Sequence, residues 1–287
     1  MAHALSPMRA CLATASSRAV IALSLGALAL GGLSLGALGG APPAEEGVDF
    51  PTIVARTRLG LGAVGVLNPA QRPALELLGS GFFIDNQGHF LTANHVLQAM
   101  EEKKRLGDLR VFLPSDAGPD GHPASVVARD PRHDFALLKV KGGSYFPLEL
   151  GDSTKAREGQ SIALAGFPFG FFLGLHPSTC VGIISSISPA AVPVASSKLL
   201  DADTIEALRS PYKVFQLDAT AHPGHSGGPL FDPRTGKVLG IVNSAFIRKT
   251  KEKVISSGIS YAMPIHLARP MLEEALKPRL GTPRPSP

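Results

Sequence analysis

The sequence predicts an all-β domain, preceded by an apolar leader and closed by a short helix. Three observations carry that expectation. From Ile53 onward the chain breaks into short runs rich in strand formers: "GSGFFID", "HFLTA", "RVFLP", "ASVVARD", "FALLKV", "SIALAGF", "CVGIISSI", "KVFQLD", "KVLGIVNSAF" and "VISSGISYAM". Glycine, proline, asparagine and aspartate punctuate them. Strong helical periodicity is confined to "PIHLARPMLEEALK", where Leu267, Met271, Leu272 and Leu276 fall on one side. With 287 residues and 44% apolar composition, the chain is long enough to bury a substantial core.

Residues 1–44 read as a targeting element. Arg9 and Arg18 precede an uncharged stretch from Ala19 to Ala41, which directs export. Gly39 and Ala41 resemble a cleavage signal, whereas Pro42 hinders a peptidase and the stretch is long enough to span a bilayer, so cleaved signal and uncleaved anchor both stand. The folded domain is expected over residues 45–276. Within it, "DNQG" at Asp85–Gly88 between two strand-like runs signals a hairpin, and "HVLQAMEEKKR" signals a short helix after His95. The stretch from Ala190 to Ser210 is too polar and irregular for a core strand and reads as a surface insertion. "GFPFGFFLGL", Gly166 to Leu175, reads as a core-facing loop, with an exposed docking patch as the alternative. Residues 277–287 form a tail rich in proline and arginine.

Composition excludes several classes. The net charge is +5, but the last twelve residues hold Lys277, Arg279 and Arg284, so the remainder is weakly basic and no nucleic-acid partner is expected. "EEKKR" and "IRKTKEK" read as solvated loops. Cys11 lies before the apolar stretch of the leader, leaving Cys180 as the only thiol beyond it and no disulfide scaffold; Cys180 reads as a buried core thiol. No histidine spacing recommends a metal, and no cofactor is expected.

"ATAHPGHSGGPLFD" places Ser226 among glycines. Its Gly-x-Ser-x-Gly pattern also matches the nucleophile elbow of α/β-hydrolases, which needs a helix after the serine. Here Pro229 follows and the next run, "KVLGIVNSAF", is a strand, so the elbow reading fails. Upstream stand His95 in "FLTANHVL" and Asp134 in "PRHDFALLKV", giving the order His, Asp, Ser of one known triad arrangement. A serine hydroxyl needs a base, and an imidazole with a pKa of about 6.5 suits the task. His225 is adjacent, but successive side chains in a tight turn diverge; His222 is four positions away. Both rank below His95.

These phrases resemble the trypsin-like serine proteases, most closely the HtrA branch. "GSGFFIDNQGHFLTANHVL", "RDPRHDFALLKV", "LGDSTKAREGQSIALAGFPFG", "VGIISSIS", "QLDATAHPGHSGGPLFD", "GKVLGIVNSAF" and "GISYAMPIHLARPML" match that family's blocks in order, over roughly Leu78 to Leu276. The resemblance implies a chymotrypsin-like pair of six-stranded antiparallel β-barrels, with the triad His95, Asp134 and Ser226 in the cleft between them and a closing C-terminal helix. It implies that Gly224 and Ser226 offer backbone N–H groups to an oxyanion, a donor typically worth about 3 kcal/mol. Ser244, give or take one residue, takes the position whose hydroxyl approaches the aspartate. The backbone from Asn243 through Ser244 and Ala245 to Phe246 pairs with an extended substrate. Thr220 and Ser260 fall near the primary specificity pocket and, being uncharged, imply small or medium apolar side chains there. Protein or peptide substrates, an envelope, periplasmic or secreted location and homo-oligomers through N-terminal segments are further implications, although Pro42–Gly60 carries no decisive trimer signal.

Two departures from the family pattern stand out. His225 occupies a position usually held by asparagine or aspartate, and the tail has no room for a PDZ domain. The leading expectation is therefore an exported serine endopeptidase. The alternatives are a latent or non-catalytic protease-fold module that binds peptide segments, and a membrane-anchored scaffold docking through "GFPFGFFLGL".

Overall fold

The computed structural model describes residues 48–67, 75–102, 105, 108–114, 121–168, 175–190, 211–243, 247–249, 254–256 and 260–277, with backbone alone at 247–249 and 254–256. All belong to the unit Glu45–Pro287. The leader, the insertion at 191–210, most of the aromatic run at 169–174, Ser244, Ala245 and the tail beyond Lys277 lie outside the described residues. Among the described residues no helix is long and apolar enough to cross a membrane.

Helix α1 (Phe50–Leu59) leads into strands β1 (Leu61–Leu67), β2 (Leu75–Phe83) and β3 (His89–Ala93); helix α2 (Asn94–Glu102) follows, then β4 (Leu109–Phe112), β5 (His122–Asp130) and β6 (Phe135–Val140). These six strands close a barrel in the order β1-β2-β3-β6-β5-β4. A second closed barrel, β10-β11-β14-β9-β8-β7, is built from β7 (Ser161–Gly166), β8 (Ser178–Pro189), β9 (Lys213–Asp218), β10 (Pro229–Phe231), β11 (Val238–Asn243) and β14 (Ser260–Pro264). Strands β12 (Ile247–Lys249) and β13 (Val254–Ser256) form a separate two-stranded ribbon, so part of the basic run read as a loop is strand. All pairings in the barrels are antiparallel, and closure leaves no exposed sheet edge. The chain ends in a 3-10 turn (Ile265–Ala268) and helix α3 (Arg269–Leu276). The two six-stranded barrels and the terminal helix are those the resemblance implied.

Side-chain alternation explains why the strands of the second barrel read as almost unbroken apolar runs. On β7, Ile162 and Leu164 point into the second barrel's own core, whereas Ala163 and Ala165 join the cluster that continues into the first barrel. Likewise Leu230 and Val242 face inward while Phe231 and Ile241 face the first barrel's cluster. A strand covered on both faces needs no polar side. In the first barrel, Phe90 is wholly buried against Gly62 and Gly81, paired across β1 and β2, where a Cβ would collide with the ring.

The "DNQG" hairpin forms between β2 and β3, with the Asp85 carboxylate accepting from the backbone N–H of Gln87 and His89. Helix α1 departs from the β-only reading of that stretch. Proline at its start and Ile53 and Thr57 buried four residues apart are its sequence signals, too weak beside three arginine and threonine neighbours to be conspicuous. Cys180 is half-buried on β8 and so more accessible than a core thiol; burial still pushes its pKa up. Leu276, expected on the apolar side of the last helix, is exposed, while Leu272 is buried.

Candidate functional site

Strand pairing brings His95 and Asp134 together across 39 residues. β3 and β6 run antiparallel with Ala93 opposite Phe135, so Asn94 falls opposite Asp134 and its N–H donates to the Asp134 carbonyl at 3.1 Å. His95 is then in the first turn of α2, directly beyond the strand end. Its Nδ1 lies 2.7 Å from Asp134 Oδ2, and its backbone N–H donates to Oδ1 at 2.8 Å. Because a carboxylate only accepts, Nδ1 carries a proton, and in the neutral ring Nε2 is then the acceptor nitrogen. Asp134 is the one described non-glycine residue with positive φ, 58°, a conformation that aspartate tolerates better than most and that turns its carboxylate toward the helix.

Asp134 Oδ2 also accepts from Asn243 Nδ2 at 2.8 Å, from the end of β11 in the other barrel. The hydroxyl expected to approach the aspartate was that of Ser244, give or take one residue; among the described residues of that segment, Asn243 reaches it through its amide. Ser244 and Ala245 lie outside the described residues.

Ser226 is almost fully buried, 6% exposed, in the loop between β9 and β10. Two contacts dock this loop on the first barrel. The N–H of Ser80 on β2 donates to the Ser226 carbonyl at 2.8 Å. Gly227, with φ of 84°, leaves no space for a side chain: a Cβ would stand 2.3 Å from the Ser80 carbonyl and 2.8 Å from Ala93 N. The residue after Ser226 is thereby pressed against the residue two before His95. The first and second barrels thus contribute His95 and Asp134 on one side and Ser226 and Asn243 on the other.

Gly224 shapes the approach to Ser226. The His225 N–H donates to the His222 carbonyl at 3.0 Å, closing a four-residue turn with Pro223 second and Gly224 third, at φ of 103°. Proline followed by a positive-φ glycine is the type II signature, which fixes the orientation of the Pro223–Gly224 peptide. Among the described residues the Gly224 N–H has no backbone acceptor. Ser80 Oγ donates to the Gly224 carbonyl at 2.5 Å and accepts from Phe167 N–H at 2.9 Å. Ser80 was legible in the sequence only as the middle of "GSG"; a polar residue between two glycines in an apolar strand was the signal.

His225 is wholly buried and its ring points away from Ser226. Nδ1 accepts from the His222 N–H at 3.0 Å, and Nε2 pairs with Ser178 Oγ on β8 at 3.1 Å. Both nitrogens are engaged, so His225 cannot take the serine proton. Burial lowers its pKa to about 4, against the backbone hydrogen bond with His222, which raises it. Ser260, on β14, is buried with Oγ accepting from the Ala221 N–H at 2.8 Å, and Thr220 is exposed beside it in sequence. Among the described residues no group of histidine, cysteine or carboxylate side chains could hold a metal ion.

A family model described as "Trypsin-like peptidase domain" matches residues 79–241. A protein of Pseudomonas putida named "Probable periplasmic serine endoprotease DegP-like" is 37% identical over 200 residues, 69% of this chain and 34% of that protein. One of the same name from Marinomonas sp. is 32% identical over 208 residues, 72% of this chain and 37% of the relative. The chain therefore spans about a third of the length of these curated relatives. Among solved structures, "HtrA-type protease AlgW with tripeptide" aligns with a TM-score of 0.55 at 25% identity, covering 80% of this chain and 64% of that one. With two closed barrels, a His95–Asp134 pair and Ser226 before two glycines at their junction, the chain belongs to the trypsin-like peptidase domain family.

Proposed function

We propose that the protein is an exported serine endopeptidase in which Ser226 is the nucleophile, His95 the general base and Asp134 the group that orients the imidazole. The observation that carries this reading is the His95–Asp134 bond at 2.7 Å, which leaves Nε2 as acceptor in a site whose next wall is the Ser226 loop. In the reaction, Nε2 takes the Ser226 proton as Oγ attacks the peptide carbonyl carbon. The resulting oxyanion accepts from the N–H groups of Gly224 and Ser226, and Nε2 then protonates the leaving amine. Water, deprotonated by the same nitrogen, attacks the acyl carbon, and Nε2 returns that proton to Ser226 Oγ as the acid product leaves. Asp134, held by Asn243, orients the imidazole and does not take the transferred proton.

The type II turn at His222–His225 supports catalysis over a latent peptide-binding module, because positive φ at Gly224 is already in place. Thr220 and Ser260 would line the primary pocket, and with the Ser260 hydroxyl already accepting from Ala221, small or medium apolar side chains fit better than lysine or arginine. Asn243, Ser244 and Ala245 would offer backbone to an extended substrate. The relatives' periplasmic names and the leader together favour the cell envelope, where protein or peptide substrates would be met.

Fluorophosphonate labelling tests the assignment. The wild-type chain at about pH 7 to 8 should label, and Ser226→Ala and His95→Ala should each abolish it. A folded wild type that takes no label would sink the catalytic reading in favour of the binding module.

A further inference from the structure

The residue beside the nucleophile is a buried histidine that the proposed proton transfers do not use. Its two nitrogens make complementary demands. The His222 N–H can only donate, so Nδ1 must be bare; the ring proton is then on Nε2, which donates to Ser178 Oγ. The turn from His222 to His225 is consequently closed twice between the same two residues, once by His225 N–H to the His222 carbonyl and once by His222 N–H to the His225 ring, both at 3.0 Å. Gly224, the third residue of that turn, lies inside this double closure. The ring is fixed from behind as well: a Cβ on Gly166 of β7 would lie 3.2 Å from its Cδ2.

Building on the protease reading above, we propose that His225 is a positioning residue whose neutral, Nε2-protonated imidazole latches the turn that aims the Gly224 N–H at the reacting carbonyl. A type II turn can convert to type I by rotating its central peptide, which would turn the Gly224 N–H away. The side-chain bond to the His222 N–H ties down the first residue of the turn, and the Ser80 bond to the Gly224 carbonyl ties down the third. Among the described residues, His222, whose ring centroid is 6.0 Å away, is the titratable group whose charge acts on the ring, and burial keeps the latch neutral at working pH.

The test has a readout independent of turnover. In the full chain carrying Ser226→Ala, the ¹⁵N spectrum of the His225 ring should show Nε2 protonated and Nδ1 bare between about pH 5 and 8, and the His222 amide should exchange slowly with solvent. On the active background, His225→Phe removes the acceptor while filling the cavity. It should lower kcat about 100-fold with KM within about threefold, as expected for loss of an oxyanion donor. His225→Asn, whose Oδ1 stands at the same distance along the side chain as Nδ1, should recover most of that loss. A ring protonated on Nδ1 at neutral pH, or His225→Phe with wild-type kcat, would overturn the latch. Should His225→Phe fail to fold, the ring spectrum still decides. A wild type without turnover would remove the protease reading alone, since the tautomer and the protection of the His222 amide do not depend on it.

Discussion

Among the described residues, three donors hold Asp134: two from His95 and one from Asn243. Replacing Asn243 by leucine removes a charge-assisted bond from a half-buried carboxylate, and about 1.5–3 kcal/mol is the usual worth of such a bond. If part of that loss falls on the transition state, kcat should drop about tenfold with KM nearly unchanged, as read in steady-state kinetics on a peptide ester. His225 acts on stability. Its pKa is lowered from 6.5 to about 4 in the folded protein, so the unfolded chain binds the extra proton between those values. The stabilisation is present above about pH 6.5 and is lost as pH falls toward 4, by about 3 kcal/mol in all. Thermal melts should therefore show wild type losing Tm relative to His225→Asn across that window; parallel curves would contradict the buried neutral imidazole.

Helix α2 carries His95, and its first turn is held from outside. The buried Asn94 side chain accepts from Arg129 Nε at 2.6 Å, and the same guanidinium pairs with Glu101 near the helix end. One arginine on β5 thus brackets the helix at both ends. Arg129→Ala leaves the Asn94 carbonyl buried without its donor and should cost about 1–3 kcal/mol, lowering Tm by several degrees, with activity falling further than with Glu101→Ala, whose pair is exposed. "HVLQAMEEKKR" made α2 legible because its apolar positions follow the helical period. Helix α1 escaped notice because only Ile53 and Thr57 are buried, and what covers Ile53 includes the distant turn at Gly236.

The two barrels meet where the second barrel's serine loop is pressed on β2 and β3, and Ser80 is the shared joint. Its backbone binds Ser226, its hydroxyl binds Gly224 and Phe167, and its carbonyl accepts from Thr92 Oγ1 at 2.7 Å. Ser80→Ala should cost about 1–3 kcal/mol by leaving the buried Phe167 N–H and the half-buried Gly224 carbonyl without their partner, and should reduce fluorophosphonate labelling more than core truncations of equal stability cost elsewhere, such as at Leu272. Equal labelling at matched stability would mean that the joint holds the fold without orienting the loop.

By itself the sequence determined the all-β character, the hairpin at Asp85–Gly88, helix α2 and the candidates His95, Asp134 and Ser226, because local periodicity, turn chemistry and ordered phrases are properties of short stretches. Strands β1 and β10 were less legible. β1 has glycines at two of seven positions, and β10 is three residues long. Only the tertiary structure decided that the Asn243 amide of "IVNSAF" reaches Asp134, that His225 faces Ser178 rather than Ser226, and that Ser80 ties the barrels together. Each of those facts is a bond between strands far apart in the chain. Such a bond is fixed by barrel register and closure, which no short stretch encodes.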